Sequence, residues 1–203
     1  MKEVFFVTAT NTDVGKSYAS EIFLEKFAKE NKKVGYFKPI ETGVDTLPQD
    51  GLKLLQIVQN LNPHFTPDLN EVVPYQFKLP AAPFVAKGDT KIDIQNLLQK
   101  AKNLLNYCDV LIVEGAGGLM VPIEKNYFMI DLIKEFHKQL NAKTILISPS
   151  NLGSINDTML SQTLLKNYNI NYEWYINLYK DKESFKTVTL PFYKEYFNQI
   201  NYL

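Results

Sequence analysis

Gly15, Lys16 and Ser17 stand where a polar loop gives way to an amphipathic segment, within Val-Phe-Phe-Val-Thr-Ala-Thr-Asn-Thr-Asp-Val-Gly-Lys-Ser at 4–17. That order of residue types suits the handling of phosphate. Backbone N–H groups at a helix start surround phosphate oxygens, a lysine bridges the terminal phosphates, and a hydroxyl ligates Mg²⁺. The end of the stretch matches G-x-x-x-x-G-K-[ST], but the first glycine of the pattern is missing, with Ala9 and Thr10 where the loop begins. The alternative is a chance Gly-Lys-Ser on an exposed helix start. A strand before it and a helix after it favour the phosphate loop.

Other chemistry-bearing residues follow the same geography. Lys38 opens Lys-Pro-Ile-Glu-Thr-Gly at 38–43, just after an apolar run. A second ammonium there could stabilise charge on a transferred phosphoryl group, or could be a surface lysine before a proline turn. Glu114 ends the most apolar run of the chain, beside Gly115, Ala116, Gly117 and Gly118. Such a carboxylate suits Mg²⁺, and the glycines would admit a close ligand; the alternative is a strand-end glutamate before a glycine-rich turn. Asp50 is either a second Mg²⁺ partner or a helix N-cap, and taken alone the cap is preferred. Gly153, Ser154, Ile155 and Asn156 open a helix whose N–H groups favour an anion such as a substrate carboxylate, or which Ser154 simply caps. His64, His137 and Cys108 have no metal-ligand spacing and read as structural or surface residues.

The elements that must position these residues alternate. Apolar runs at 4–9, 34–37, 109–113, 144–147 and 172–176 read as buried strands. Periodicity predicts helices over 17–30, 51–60, 93–106, 129–140 and 155–167. The stretch 62–88, with Pro63, Pro67, Pro74, Pro80 and Pro83, is expected to be mostly irregular, and the end of the chain reads as a short aromatic tail. Strands buried on both faces that alternate with helices imply a parallel α/β sheet with right-handed crossovers. Ligands bind at the carboxyl ends of such strands, which is where the clusters 8–17, 38–43, 114–118, 148–153 and Asn177 fall.

The 203 residues, with 22 basic and 22 acidic side chains, suit one domain spanning 1–203 and offer no excess charge for nucleic acid or an anionic membrane. Cys108, the lone cysteine, excludes an intrachain disulfide. No run approaches the roughly 18 apolar residues of a membrane span, and no signal-peptide pattern is present, so a cytoplasmic protein is expected.

Taken in order, VTATNTDVGKS, YFKPIETG, VEGAGGLMVPI and NLGSINDTML resemble the dethiobiotin synthetases, over most of the chain. The resemblance implies a P-loop NTPase-like parallel β-sheet flanked by helices on both faces. It implies an ATP- and Mg²⁺-dependent ligase that joins 7,8-diaminopelargonate and CO₂ into dethiobiotin through a carbamate and a carbamic–phosphoric anhydride. By the family's pattern Lys16 and Lys38 are catalytic, Ser17, Asp50 and Glu114 hold Mg²⁺, and Thr12 and Thr42 meet the substrate. Nucleotide contacts fall on Asp13, Val14, Gly15, Lys16, Ser17 and Tyr18, on Asp50, Glu114, Gly115, Ala116 and Gly117, and near the base on Asn177 and Leu178. Gly153, Ser154, Ile155 and Asn156 are expected to take the substrate carboxylate from the second subunit of a homodimer. The chain departs from the family at Ala9, at Asn11 (usually Asp), at Leu178 after Asn177, and in a short tail, so loose purine selectivity is expected. Two rivals share the loop. A nucleotide-switched partitioning ATPase would carry a lysine where this chain has Thr10, and an amidotransferase-type ligase would need a catalytic cysteine in a further domain.

Overall fold

The computed structural model describes residues 2–179 and 182–203. Its element order is β1 (Glu3–Ala9), α1 (Lys16–Lys29), β2 (Val34–Phe37), β3 (Ile40–Thr42), α2 (Gln49–Leu61), α3 (Leu69–Val72), β4 (Tyr75–Phe77), α4 (Pro83–Ala86) and α5 (Ile94–Leu104). There follow β5 (Val110–Gly118), β6 (Pro122–Glu124), β7 (Tyr127–Phe128), α6 (Met129–Leu140), β8 (Lys143–Pro149), α7 (Ser154–Asn167), β9 (Tyr172–Asn177), α8 (Lys182–Val188), α9 (Leu190–Tyr196) and β10 (Asn201–Tyr202). Six strands form one sheet in the order β10-β9-β8-β1-β5-β2, every neighbouring pair parallel. All their carboxyl ends therefore share one edge.

Both faces are covered because neighbouring side chains on a strand point opposite ways. On β1, Phe5 packs on Phe27 of α1 with ring centroids 4.8 Å apart, and the next residue, Phe6, packs edge-on against Phe136 of α6 at 5.3 Å. Tyr175 and Trp174 divide β9 in the same way, the first against Phe23 of α1 and the second against Tyr193 and Phe197 of the tail. Fully burying one such apolar side chain contributes about 1.5–3 kcal/mol, so this double-sided aromatic lining supplies much of the core. Among the described residues no helix is long and apolar enough to cross a membrane.

The expected strand at 34–37 and helix at 129–140 coincide with β2 and α6. Three stretches differ. The glycines after Glu114 do not end the strand: β5 continues to Gly118, which pairs with Ala9 beyond a register shift opposite Val7–Ala9. A side chain on Gly118 would press on the Thr10 carbonyl oxygen at 3.0 Å, so glycine here permits close strand approach rather than a turn. The proline-rich stretch contains α3, β4 and α4, with β4 pairing in parallel to β3. The tail folds back as α8, α9 and β10, and β10 adds the sixth strand alongside β9.

Candidate active site

The loop between β1 and α1 is shaped by backbone and held from outside. Gly15, the N-cap of α1, has φ 95°, and Asp13 also adopts positive φ, 55°. Among the described residues no side chain caps α1, leaving its first-turn N–H groups open to a ligand acceptor. Asn177, at the end of β9, donates from Nδ2 to the Val14 carbonyl at 3.1 Å, and the Tyr179 phenol donates to the Asp13 carbonyl. A Cβ on Gly15 would collide with the Asn177 carboxamide. Lys16 is buried, and its Nζ reaches the Asn11 carbonyl at 3.3 Å. Burial lowers the Lys16 pKa, against the opposing pull of Glu114.

Beside the loop lies a charge cluster. Glu114 is 1 % exposed and Lys38 5 %. The Lys38 ammonium sits 2.8 Å from Glu114 Oε1 and 2.9 Å from Asp50 Oδ2. Ser17 Oγ donates to Glu114 Oε1 at 2.8 Å, while Ser20 Oγ and the Tyr36 phenol donate to Oε2 at 2.9 and 3.0 Å. Burial alone would push the Glu114 pKa up, but the Lys38 ammonium and the Ser17 hydroxyl bring it below the ordinary carboxylate value. Lys38 balances the other way: burial lowers it, and Glu114, Asp50 and Glu41 together raise it, so the ammonium stays charged. Burial likewise opposes ionisation of Asp50, and Lys38 overcomes it. Burial and the neighbouring Glu114 push the Tyr36 phenol well up, which keeps it a donor.

Asp50 does not cap α2. Pro48 occupies the cap position, Asp50 lies one residue inside the helix, and its carboxylate is turned to Lys38. Glu41 does the capping from a distance, accepting the Asp50 N–H at 3.1 Å and the Gly51 N–H at 2.9 Å. Burial raises the Glu41 pKa, partly offset by Lys38 and the Gly51 amide. Sequence reasoning missed this residue. The signal was available: a helix preceded by proline has no side-chain cap of its own, and a buried glutamate just upstream can supply one.

A cavity of about 420 Å³ opens over the loop and the cluster. Thr12, Asp13, Gly15, Lys16, Ser17 and Tyr18 line it on the loop side. Lys38, Thr42, Asp50, Glu114, Gly115, Ala116 and Gly117 line it from the other strand ends, joined by Ile40, Glu41 and Tyr179, which the sequence reading did not include. Val14 is buried, its carbonyl taken by Asn177. Asn177 is also buried and Leu178 packs against the core, and neither lines the cavity.

Gly153, Ser154, Ile155 and Asn156 also lie away from this cavity within the single chain. Ser154 is not a cap: Gly153 holds that position with φ 92°, and among the described residues no side chain caps α7. A Cβ on Gly153 would meet nothing within 4 Å. Helix α7 buries a polar stripe, Ser154, Thr158, Ser161 and Gln162, beside Leu165, while Leu160 is 63 % exposed and Leu152, just before the helix, 79 %. Cys108 is buried, its thiol pushed up to about 12 by burial, which suits a structural residue and not a nucleophile.

Ser17, Asp50 and Glu114 offer only oxygen donors, two of them carboxylates, which is the donor chemistry Mg²⁺ takes. Among the described residues no three His, Cys, Asp or Glu side chains form a self-sufficient metal cage. A cation here would complete its shell with phosphate oxygens and water, as Mg²⁺ characteristically does.

A family model described as an AAA domain matches residues 3–176. The chain is 47% identical over 193 residues to an ATP-dependent dethiobiotin synthetase of Sulfurovum sp. (strain NBC37-1), covering 95% of this chain and 90% of the relative. It is 37% identical over 193 residues to the corresponding protein of Wolinella succinogenes, covering 94% and 88%. Among solved structures it resembles a plasmid partition protein of Borrelia burgdorferi bound to AMPPNP, with TM-score 0.58, 13% identity, and coverage of 100% of this chain and 86% of the other. The MinD cell division protein of Aquifex aeolicus superposes with TM-score 0.52 at 19% identity, covering 95% and 77%. At such identities these structures share the fold alone, a parallel sheet flanked by helices with a phosphate loop.

Proposed function

The chain belongs to the ATP-dependent dethiobiotin synthetase family, and from that premise we propose that its cavity carboxylates 7,8-diaminopelargonate and closes the ureido ring at the expense of ATP. One observation carries the reading at residue level: a buried Lys38 ammonium held between Glu114 and Asp50, in the same cavity as the Lys16 loop. In this reading residues 1–203 form one synthetase domain.

A substrate amine adds to CO₂ and loses a proton, giving a carbamate. A carbamate oxygen attacks the γ-phosphorus and the bond to the β,γ-bridging oxygen breaks, so ADP departs and a carbamic–phosphoric anhydride forms. The neighbouring amine then attacks the anhydride carbon, its proton is lost, and phosphate leaves as the ring closes. No step needs a protein nucleophile. What the steps need is two anions held in line and the moving charge neutralised, which is positioning and electrostatics. Lys16 and the first-turn amides of α1 take the β- and γ-phosphates. Lys38 faces the incoming carbamate and the transferred group, and Thr42, across the same cavity, orients the diamine. When bound, Mg²⁺ would be held by Ser17, Asp50 and Glu114 and would supply charge neutralisation on the phosphates.

The substrate carboxylate is assigned to the start of α7 in a second copy of the chain. The exposed Leu152 and Leu160 at the start and middle of this segment, and the open space that a Cβ on Gly153 would find, support this, because both describe a surface that lacks its neighbour. The base is held by few polar contacts, since the Asn177 amide is committed to Val14 and Leu178 to the core. Phosphate release with bicarbonate and ATP, measured with and without 7,8-diaminopelargonate, tests the reading. Release should depend on the diamine, and GTP should replace ATP with little loss. Release independent of the diamine would instead favour a nucleotide switch.

A further inference from the structure

The two oxygens of Glu114 keep different company. Oε1 accepts from Ser17 and Lys38, both of which line the cavity. Oε2 accepts from Ser20 and Tyr36, both 0 % exposed. Each supporting element contributes one partner of each kind. On α1, Ser17 and Ser20 lie one turn apart on one face. Tyr36 on β2 and Lys38 just beyond its end are two residues apart, as side chains on one face of a strand must be. An outer pair faces the ligand and an inner pair faces the core.

We propose that Ser20 and Tyr36 are positioning residues which, by filling Oε2, make Glu114 a one-oxygen donor aimed into the cavity and thereby favour Mg²⁺ over Ca²⁺. The inference rests on the ligase reading above. A carboxylate oxygen has two in-plane acceptor sites, and two donors fill those of each oxygen. Ser17 and Lys38 line the cavity and can turn from Oε1 to a bound ligand, whereas Ser20 and Tyr36 cannot leave Oε2. With both hydroxyls sealed from solvent, water cannot take their place, and releasing Oε2 would leave buried donors unpaired. Glu114 therefore cannot embrace a cation with both oxygens. Mg²⁺ keeps a small octahedral shell built from single oxygens, phosphate and water, whereas Ca²⁺ takes more ligands and often a bidentate carboxylate. The inner pair thus acts on cation choice through Glu114 and touches no substrate.

The test uses Tyr36→Phe, Ser20→Ala and the double variant, each deleting an O–H without adding volume. Affinity for a non-hydrolysable ATP analogue is measured calorimetrically in excess Mg²⁺, in excess Ca²⁺ and in EDTA. The Mg²⁺-to-Ca²⁺ affinity ratio should fall about tenfold in the double variant and part of the way in each single one, the scale usual for residues that orient a metal ligand, with the EDTA value unchanged. A merely structural role would weaken binding equally in all three conditions, and an unchanged ratio in a cooperatively melting double variant would overturn the proposal. Should the double variant not fold, unchanged ratios in both single variants would overturn it as well. Failure of the unaltered protein to bind the analogue at all would overturn the ligase reading and this inference together. Diamine-dependent turnover with an unmoved ratio would overturn this inference alone.

Discussion

Helices α1 and α7 begin alike and end up in opposite situations. Each follows a parallel strand of the main sheet, each is 14 residues long, and each starts at a glycine in the left-handed region, φ 95° at Gly15 and 92° at Gly153. Neither has a side-chain cap. Around Gly15 the chain has closed in, with the Asn177 amide where a Cβ would go. A Cβ on Gly153 would meet nothing within 4 Å. Helix α1 buries Phe23, Leu24 and Phe27, whereas α7 buries three hydroxyls beside Leu165 and leaves Leu160 exposed. The same helix start thus serves as a finished phosphate site in one place and as half of a site in the other. In the reading proposed above, a second copy of the chain would complete the second half, supplying apolar cover and a substrate end at once.

The largest effects should come from the lysines of the finished site. Lys16→Ala and Lys38→Ala should each lower turnover by roughly 10²- to 10³-fold or more, the usual loss when a group that meets developing charge is removed. They should differ in stability. Lys16 bonds only a carbonyl oxygen among the described residues, but removing Lys38 leaves Glu114 buried without its cation, at about 3–5 kcal/mol. Thermal melting alongside steady-state kinetics separates the two, and equal melting temperatures would contradict the buried ion pair. Intermediate effects fall on the paired glycines. Gly15→Ala should weaken nucleotide binding by roughly tenfold or more, since it adds a collision to the strain of about 1–2 kcal/mol that any Cβ pays at this φ. Gly153→Ala carries the strain alone and should leave nucleotide affinity unchanged in calorimetry while raising KM for the diamine. Equal nucleotide losses in both variants would dissolve the contrast between the helices. Leu160→Glu should disturb the single chain least, within about 0.5 kcal/mol, because the side chain is exposed. Sedimentation should nevertheless show it as a monomer with nucleotide affinity intact and diamine turnover lost; a persisting dimer would remove α7 from the interface.

Much of this was legible in the letters where a residue's role follows from its local setting. Val34 to Phe37 is an apolar run between Lys33 and Pro39, and it could only be a short buried strand. Lys16, Ser17, Lys38 and Glu114 declare themselves by standing at strand ends, and the cavity gathers all four. Residues whose role depends on a distant partner did not declare themselves. Glu41 reads as an ordinary turn residue until α2 folds back and presents its amides. Ser20 and Tyr36 read as core filling, since only the approach of β5 brings Glu114 between them. The buried polar stripe of α7 was present in Ser154, Thr158 and Ser161, spaced four and three residues apart, but hydroxyls facing inward run against the usual periodicity rule. Taken alone Asp50 reads as a helix cap, and what draws its carboxylate away from that role lies 12 residues off in sequence at Lys38.

The grip of Glu41 on the amides of Asp50 and Gly51 has a consequence for what the chain will tolerate. It pins the start of α2 to the end of β3 irrespective of the path between them, and on that path Asp45, Thr46 and Leu47 are exposed. Lengthening a loop whose ends are already fixed is thermodynamically mild, about 0.6 kcal/mol for each doubling. The stretch around Thr46 is therefore a graft point, where a fluorophore or a short peptide could be inserted a few residues from Asp50 and report on ligand entry without loosening the charge cluster it watches.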